Sequence, residues 1–290
     1  MNARRTAGPF RHLLGLVVGA GGQSELPTMA DMPPSGFEFY RGSFARRTAA
    51  TMNADLTTVD QPGVCGIYGT AEHPGGRVLI TDDRAAPLVE AMMPNLYPRV
   101  VNVFHEAVRC TDLVRQSARW QSGEPATAMV CRDLSRVPPP TAMPDGLWLR
   151  CVRRVPSDPD DGVTLERAAQ ACLDADPQMA GVSLPGFLDY LRSLPPTTRL
   201  LAAVDGQDVV RATAGCSAQD GDASAFFVNT DPRWRGRGVA TAMTASALAW
   251  GYGSGARTAS LDASPAGLSI YLWLGFEPVS PTTLFSRLAP

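Results

Sequence analysis

An α/β (α+β) fold on a mixed sheet, built in two successive halves, is what this sequence predicts. Three observations carry that reading. The chain has 290 residues, enough at about 150 per domain for two cores. Apolar runs alternate with helical patterns in the first half, whereas hairpin turns join successive runs in the second. Between the halves lies VPPPTAMPD (residues 137–145), whose prolines exclude a helix or a central strand. The expected organisation is a poorly ordered extension over 1–36, a first domain over 37–136, a linker over 137–145 and a second domain over 146–290.

Taken in order, VCGIYGT and RVLIT read as strands around a glycine-rich turn. A helix fits residues 85–93, with Leu88, Ala91 and Met92 on one face and Asp82 and Asp83 at its start. RVVNVFH is a β-branched strand, residues 111–120 a helix, and TAMVCRDL a further strand. This order predicts a mostly parallel sheet in the first half. After the linker, LWLRCVR is a strand. Residues 163–173 form a helix with Leu165, Ala168, Ala169 and Cys172 facing inward, and 184–191 a shorter one. RLLAAVD and VVRATAGCSA flank the Asp205-Gly206 turn, and SAFFVNT follows Asp220-Gly221 as a third antiparallel strand. A glycine-arginine loop, a helix over 239–250, the strand TASLDA, a short helix around Tyr271 and a closing β segment complete the chain.

Composition narrows the function classes. Hydrophobic residues make up 44% and charged residues 19%, the balance of a soluble globular protein. A formal net charge of −2 supplies no field to recruit nucleic acid or anionic lipid. All 26 basic residues are arginine, which excludes a lysine nucleophile, Schiff base or P-loop lysine. The cysteines (Cys65, Cys110, Cys131, Cys151, Cys172, Cys216) form no C-x-x-C pair, so reduced, buried thiols and no metal site are expected. No run reaches the ~18 apolar residues of a membrane span. LLGLVVGA (residues 13–20) follows Arg4, Arg5 and Arg11 but lacks a small-x-small cleavage site. It reads as an extension that packs nowhere, and the expected location is cytoplasmic.

The stretch NTDPRWRGRGVA (residues 229–240) carries the chemistry. It sets Arg233, Gly236 and Gly238 in an R-x-x-G-x-G pattern between a strand and a helix. Glycines let the backbone turn sharply and approach a bulky anion. The unpaired N–H groups of the helix's first turn point to the same place, and the helix dipole adds positive charge. Arg233, Arg235 and Arg237 can add guanidinium contacts. The pattern fits a pyrophosphate cradle, and it is neither a Walker loop nor a dinucleotide fingerprint. Downstream lies SPAGLSIYLWLGF (residues 264–276), where Gly275 stops a helix carrying Tyr271.

Together these segments resemble the GNAT superfamily of N-acetyltransferases. RWRGRGVA is similar to its acetyl-CoA pyrophosphate loop, and IYLWLGF to its late "LYxxxGF" signature. The resemblance implies a mixed-sheet acetyltransferase fold that uses acetyl-CoA as co-substrate. By it, backbone groups of Val228 and Thr230 pair with the pantetheine arm. The loop from Arg233 through Arg235, Gly236, Arg237 and Gly238 into Val239 and Ala240 holds the pyrophosphate. Tyr271 protonates the departing thiolate. Ser264 stands where many members carry a cofactor-contacting asparagine. An amine attacks the thioester through a tetrahedral intermediate, and an N–H near Val228 or Asn229 stabilises the oxyanion. Tyr271 has a second reading as a core aromatic whose hydroxyl meets the backbone. The general base stays open among Asp231, Asp262, His105, Glu106 and a water chain.

VVNVFHEAVRCTDLVRQSARW and TAMVCRDL loosely resemble the degenerate first domain of glycine-N-acyltransferase-like proteins. That implies two tandem acetyltransferase-like domains, the first shaping the acceptor pocket without holding CoA. The expected partner is then a small-molecule amine or amino acid, with no nucleic acid and no membrane. Two other classes stand beside the transferase: a non-catalytic acyl-CoA sensor or scaffold, and a nucleic-acid module using the RWRGRG arginines.

Overall fold

The computed structural model describes residues 34–49, 56–70, 75–92, 100–154, 162–176, 179 and 182–287. The apolar run at 13–20 and most of the expected extension lie outside the described residues. Helix α1 (Pro34–Ala49) opens the described chain. Strands β1 (Thr57–Gln61), β2 (Val64–Tyr68) and β3 (Arg77–Ile80) follow, then α2 (Ala86–Met92), β4 (Val100–Phe104), α3 (Val108–Gln116) and β5 (Trp120–Cys131). The second half supplies β6 (Leu147–Arg153), β7 (Val163–Thr164), α4 (Leu165–Ala175), α5 (Leu184–Ser193), β8 (Thr198–Asp205), β9 (Val210–Gln219) and β10 (Asp222–Thr230). It ends with α6 (Val239–Gly253), β11 (Thr258–Ala263), α7 (Leu268–Trp273) and β12 (Glu277–Arg287).

Local signals place most of these elements. Helix α4 buries Leu165, Ala168, Ala169 and Cys172, and its N-cap Thr164 accepts from the Arg167 N–H. Asp220 and Gly221 both take positive φ, the conformation that a two-residue turn between antiparallel strands requires. All six cysteines are free, and five are buried.

The first half departs from its expected layout. Its sheet is not mostly parallel: β1–β2 and β2–β3 are antiparallel, and only β3–β4 runs parallel. The reason is local: helices connect β3 to β4 and β4 to β5, and these strands run parallel, the second pair on either side of β12, whereas short connections join β1 to β2 and β2 to β3. The buried face of the 85–92 segment is Ala85, Ala86 and Val89, while Ala91 is exposed. Asp83 sets the next helix, accepting from the Arg109 and Cys110 N–H groups.

All strands but the edge addition β7 join through one ladder system, in the order β1-β2-β3-β4-β12-β5-β11-β10-β9-β8-β6-β7. Each half lends its last strand to the other. Strand β12 lies between β4 and β5 of the first half, and β5 lies between β12 and β11 of the second. The proline stretch does not loosen this join, because Val137 and Met143 pack on the main core. The sheet coils strongly: Arg77 of β3 reaches Asp262 of β11 at 2.8 Å, although β4, β12 and β5 separate them in the ladder order.

Strand exchange predicts a result. A chain beginning at residue 137 keeps all of α4 to β12 but loses β5, leaving β11 and β12 without the strand between them. Such a chain is expected to show no cooperative thermal transition by circular dichroism, whereas the full chain melts cooperatively. A sharp melt of the truncated chain would show that the second half closes its own sheet.

Candidate active site

The site forms where two parallel strands part. Strands β10 and β11 pair only from Asp222, Ala223 and Ser224 to Thr258, Ala259 and Ser260. Beyond Ser224, β10 keeps its ladder to β9, and its other edge pairs with no strand among the described residues. A bulge between Phe226 and Asn229 interrupts even the β9 register. Phe227 takes φ +49° there, a strained conformation for a bulky residue. Its ring is held edge-on by Phe187 and Phe226, with centroids 5.1 and 5.3 Å away. Its carbonyl accepts from Thr213 Oγ1 at 3.0 Å. The bulge therefore turns the backbone around Val228 out of the ladder and toward the gap.

The strand then enters the arginine loop. Gly238 is the N-cap of α6, with φ +80° and no capping side chain, and Gly236 has φ +73°. A β-carbon at either glycine would meet nothing within 4 Å. These glycines thus serve the left-handed backbone, and the space above them is open. The first-turn N–H groups of α6, from Val239 and Ala240 onward, have no capping side chain. Thr230 is 8% exposed, and its Oγ1 is buried without a hydrogen-bond partner. A free strand edge, uncapped amides and an orphaned hydroxyl suit a long ligand carrying a diphosphate.

The three arginines are not alike. Arg235 holds the loop, donating from Nε to the Thr230 carbonyl at 3.0 Å and from Nη2 to the Ala175 carbonyl at 3.2 Å. Arg233 is largely exposed and donates to both Asp231 oxygens. Arg237 stacks on Trp234 at 5.0 Å.

Asp231, one of the carboxylates open as a base, accepts from the Arg233 N–H and from Arg211 Nη1. The Arg233 hydrogen bonds, with Arg211, hold its carboxyl far below the usual carboxylate range. A group so acidic is a poor proton acceptor, and its place is the turn. A carboxyl depressed in the folded state stabilises above its unfolded pKa of about 3.9 and loses that contribution as pH falls further. Asp231→Asn is therefore expected to cost on the order of 1 kcal/mol at pH 7, with the gap from wild type closing in melts taken below pH about 4. An equal gap at both pH values would mean that the ion pair contributes nothing.

Tyr271 sits on α7, 9% exposed, in the same core cluster as Ala225, Val239 and Ala263, with Val228 packed against it. Its ring meets Phe276 edge-on at 6.1 Å, and a β-carbon at Gly267 would clash with it. Burial pushes the phenol up to about 12. No partner for the hydroxyl occurs among the described residues, so it does not serve as a core tyrosine tied to the backbone. Ser264 works locally: its Oγ accepts from the Gly267 N–H at 3.3 Å and its carbonyl from Leu268 at 3.0 Å, starting α7.

Asp262, another of the carboxylates open as a base, stands just past the point where β10 and β11 separate. Tyr40 donates to its Oδ1 at 2.6 Å and Arg77 to its Oδ2 at 2.8 Å. Burial, aided by Asp262, raises the Tyr40 phenol above its ordinary value, so Tyr40 keeps the proton it donates. His105 and Glu106 instead close against β12: the His105 ring nears Thr283 Oγ1 at 3.4 Å, and Glu106 accepts from Ser280 at 2.8 Å.

Beside the loop, a cleft of about 640 Å³ opens between α4 and β9. Its arginines are paired, Arg211 with Asp205 and Asp231, Arg233 with Asp231 and Arg167 with Asp208.

No family model and no curated protein matches the sequence. Solved structures do. A GCN5-related N-acetyltransferase from Kribbella flavida is 16% identical, with a TM-score of 0.54 over 87% of this chain and 96% of its own. Another from Sphaerobacter thermophilus is 16% identical, with a TM-score of 0.50 over 91% and 95%. A Drosophila protein is 15% identical, with a TM-score of 0.54 over 78% and 74%. At such identities the likeness concerns architecture, and it agrees with the parted strands and the uncapped helix: this chain has the fold of the GCN5-related N-acetyltransferases.

Proposed function

We propose that the protein is an acyl-CoA-dependent N-acyltransferase, moving an acetyl group from acetyl-CoA to the primary amine of a small molecule or amino acid. One observation carries the reading: β10 leaves β11, bulges at Phe227 and runs into an uncapped α6 whose entry holds two left-handed glycines. The free edge from Val228 to Thr230 offers backbone groups to the amides of a pantetheine arm, in the manner of an added strand. The amides of Val239 and Ala240, with Gly236 and Gly238 keeping the approach open, face the diphosphate. Arg237 is placed to follow it, while Arg233 and Arg235 shape the loop.

Acetyl-CoA supplies an activated acyl group and a thiolate as leaving group. The chain's part is to align and protonate. A backbone N–H near Val228 or Asn229, at the bulge, is the proposed donor to negative charge on the attacked carbonyl. Tyr271 holds a proton in a buried position within the core cluster against which Val228 packs. The six free thiols suit a reducing, cytoplasmic setting.

Calorimetric titration of acetyl-CoA tests the reading without knowledge of the acceptor. Saturable binding with one site per chain is expected. Absence of binding would remove both the transferase and an acyl-CoA sensor.

A further inference from the structure

The first half contributes a cationic, incompletely satisfied network to the same gap. Arg77 joins Asn102 to Asp262: its Nε donates to Asn102 Oδ1 at 2.8 Å, and its Nη2 to Asp262. That contact fixes the orientation of the Asn102 amide and leaves Nδ2 as a buried donor with no partner. Asn102 is 0% exposed. Arg47 reaches the same network from α1. Its guanidinium lies over the Tyr40 ring at 5.5 Å and the Phe44 ring at 5.4 Å, and Nη1 donates to Ser224 Oγ at 2.9 Å. Arg47 Nη2 is a second buried donor without a partner. Arg77 also lies over the Phe44 ring, at 5.5 Å.

Charge does not balance here. Arg77 is paired with Asp262, and no carboxylate within salt-bridge distance of Arg47 occurs among the described residues. One positive charge and two orphaned donors therefore flank the Arg77–Asp262 pair, Asn102 through Arg77 and Arg47 through Tyr40, an arrangement that is costly unless an anion completes it. The network is not sealed, since the Arg77 side chain is 33% exposed and that of Asp262 14%. Asp262 also retains acceptor capacity, because a carboxylate offers more lone pairs than its two donors use.

We propose that the acceptor carries a carboxylate beside its amine, with Arg47 and Asn102 receiving the carboxylate and Asp262 lying next to the amine. The proposal rests on the transferase reading and assigns the first half its part, which is recognition of the acceptor. Two single donors match the two oxygens of a carboxylate, and the aromatic walls of Tyr40 and Phe44 limit the group to a small, flat one.

The test separates this inference from the reading beneath it. Acetyl-CoA binding is first measured by calorimetry. CoA release is then followed with the α-amino acids and, in parallel, with their amides. At least one α-amino acid is expected to react, with kcat/KM at least about tenfold above that of its amide. Arg47→Gln is expected to raise KM for that acid about tenfold or more, leaving the amide's rate and acetyl-CoA affinity unchanged, and Arg47→Lys to recover part of the loss. Unchanged acetyl-CoA affinity also reports an intact fold. Equal use of acids and amides, or an Arg47→Gln effect common to both, would overturn the proposal. So would acetyl-CoA binding with no α-amino acid reacting, which leaves the transferase reading standing. Failure of acetyl-CoA to bind removes both.

Discussion

Titrating acetyl-CoA into Gly238→Glu is expected to give no saturable binding where wild type binds. Gly238 occupies the left-handed N-cap of α6, and an L-residue there costs about 1–2 kcal/mol. Even if it fell wholly on binding, that alone is at most about a thirtyfold loss, which is the upper limit expected of Gly238→Ala. The glutamate adds a like charge beside the diphosphate. At about 4 Å and an effective dielectric near 20, one pair of charges repels by about 4 kcal/mol, a further loss of roughly a thousandfold. Stability behaves differently, because an acid at a helix N-terminus is favourable by about 0.3–1 kcal/mol and offsets part of the strain. Binding should therefore vanish while the melting temperature changes little. Since no atom lies within 4 Å of the added β-carbon, steric collapse of the loop is not a competing explanation. A Gly238→Glu protein that binds like wild type would mean that no anion sits on α6.

How much of this was legible in the sequence depends on how far apart the interacting residues lie. The elements from β6 to α7 follow from local pattern: inward Leu165, Ala168, Ala169 and Cys172, the Asp220-Gly221 turn, the glycines before α6 and Gly275 after α7. The exception is the short β7 at Val163–Thr164, which by pattern belongs to the following helix. Helix α1 is marked only weakly, although Phe37, Tyr40 and Phe44 stand at i, i+3 and i+7 on its inner face. Polar groups interrupt that stripe, with Ser43 on Asp222 and Ser260 and Arg47 on Ser224, which dilutes the helical period. The exchange of β5 and β12 was also invisible, since strand character does not name a partner and the register joins residues such as Thr127 and Pro281. The motif residues were found because they are contiguous. Asp262 gained its setting from Tyr40, 222 positions away, and no spacing rule reaches that far. The arginines were read as equivalent contacts to phosphate, yet Arg235 is committed to the carbonyls of Thr230 and Ala175. Only the folded loop tells them apart.

Tyr271→Phe is expected to lower kcat by about a hundredfold or more, with acetyl-CoA affinity and melting temperature close to wild type. The stability half of that expectation follows from the site. The ring packs against Phe276 and over Gly267, and phenylalanine preserves both contacts. The hydroxyl has no partner among the described residues, so its removal strands no buried donor or acceptor. The rate half depends on proton matching. A phenol raised to about 12 would be a weak acid toward a thiolate in water, where a thiol's pKa is about 8.5. Withdrawal from water raises a thiol as it raises a phenol, so a sulfur leaving group held away from solvent at the gap would lie closer to Tyr271 than it does in water. On that ground Tyr271 is the proposed proton donor. In the phenylalanine variant the thiolate must leave unprotonated or wait for water, and the loss should appear in kcat alone. If Tyr271→Phe turned over at the wild-type rate, the phenol would have no part in the reaction, and the signature around it would report only packing.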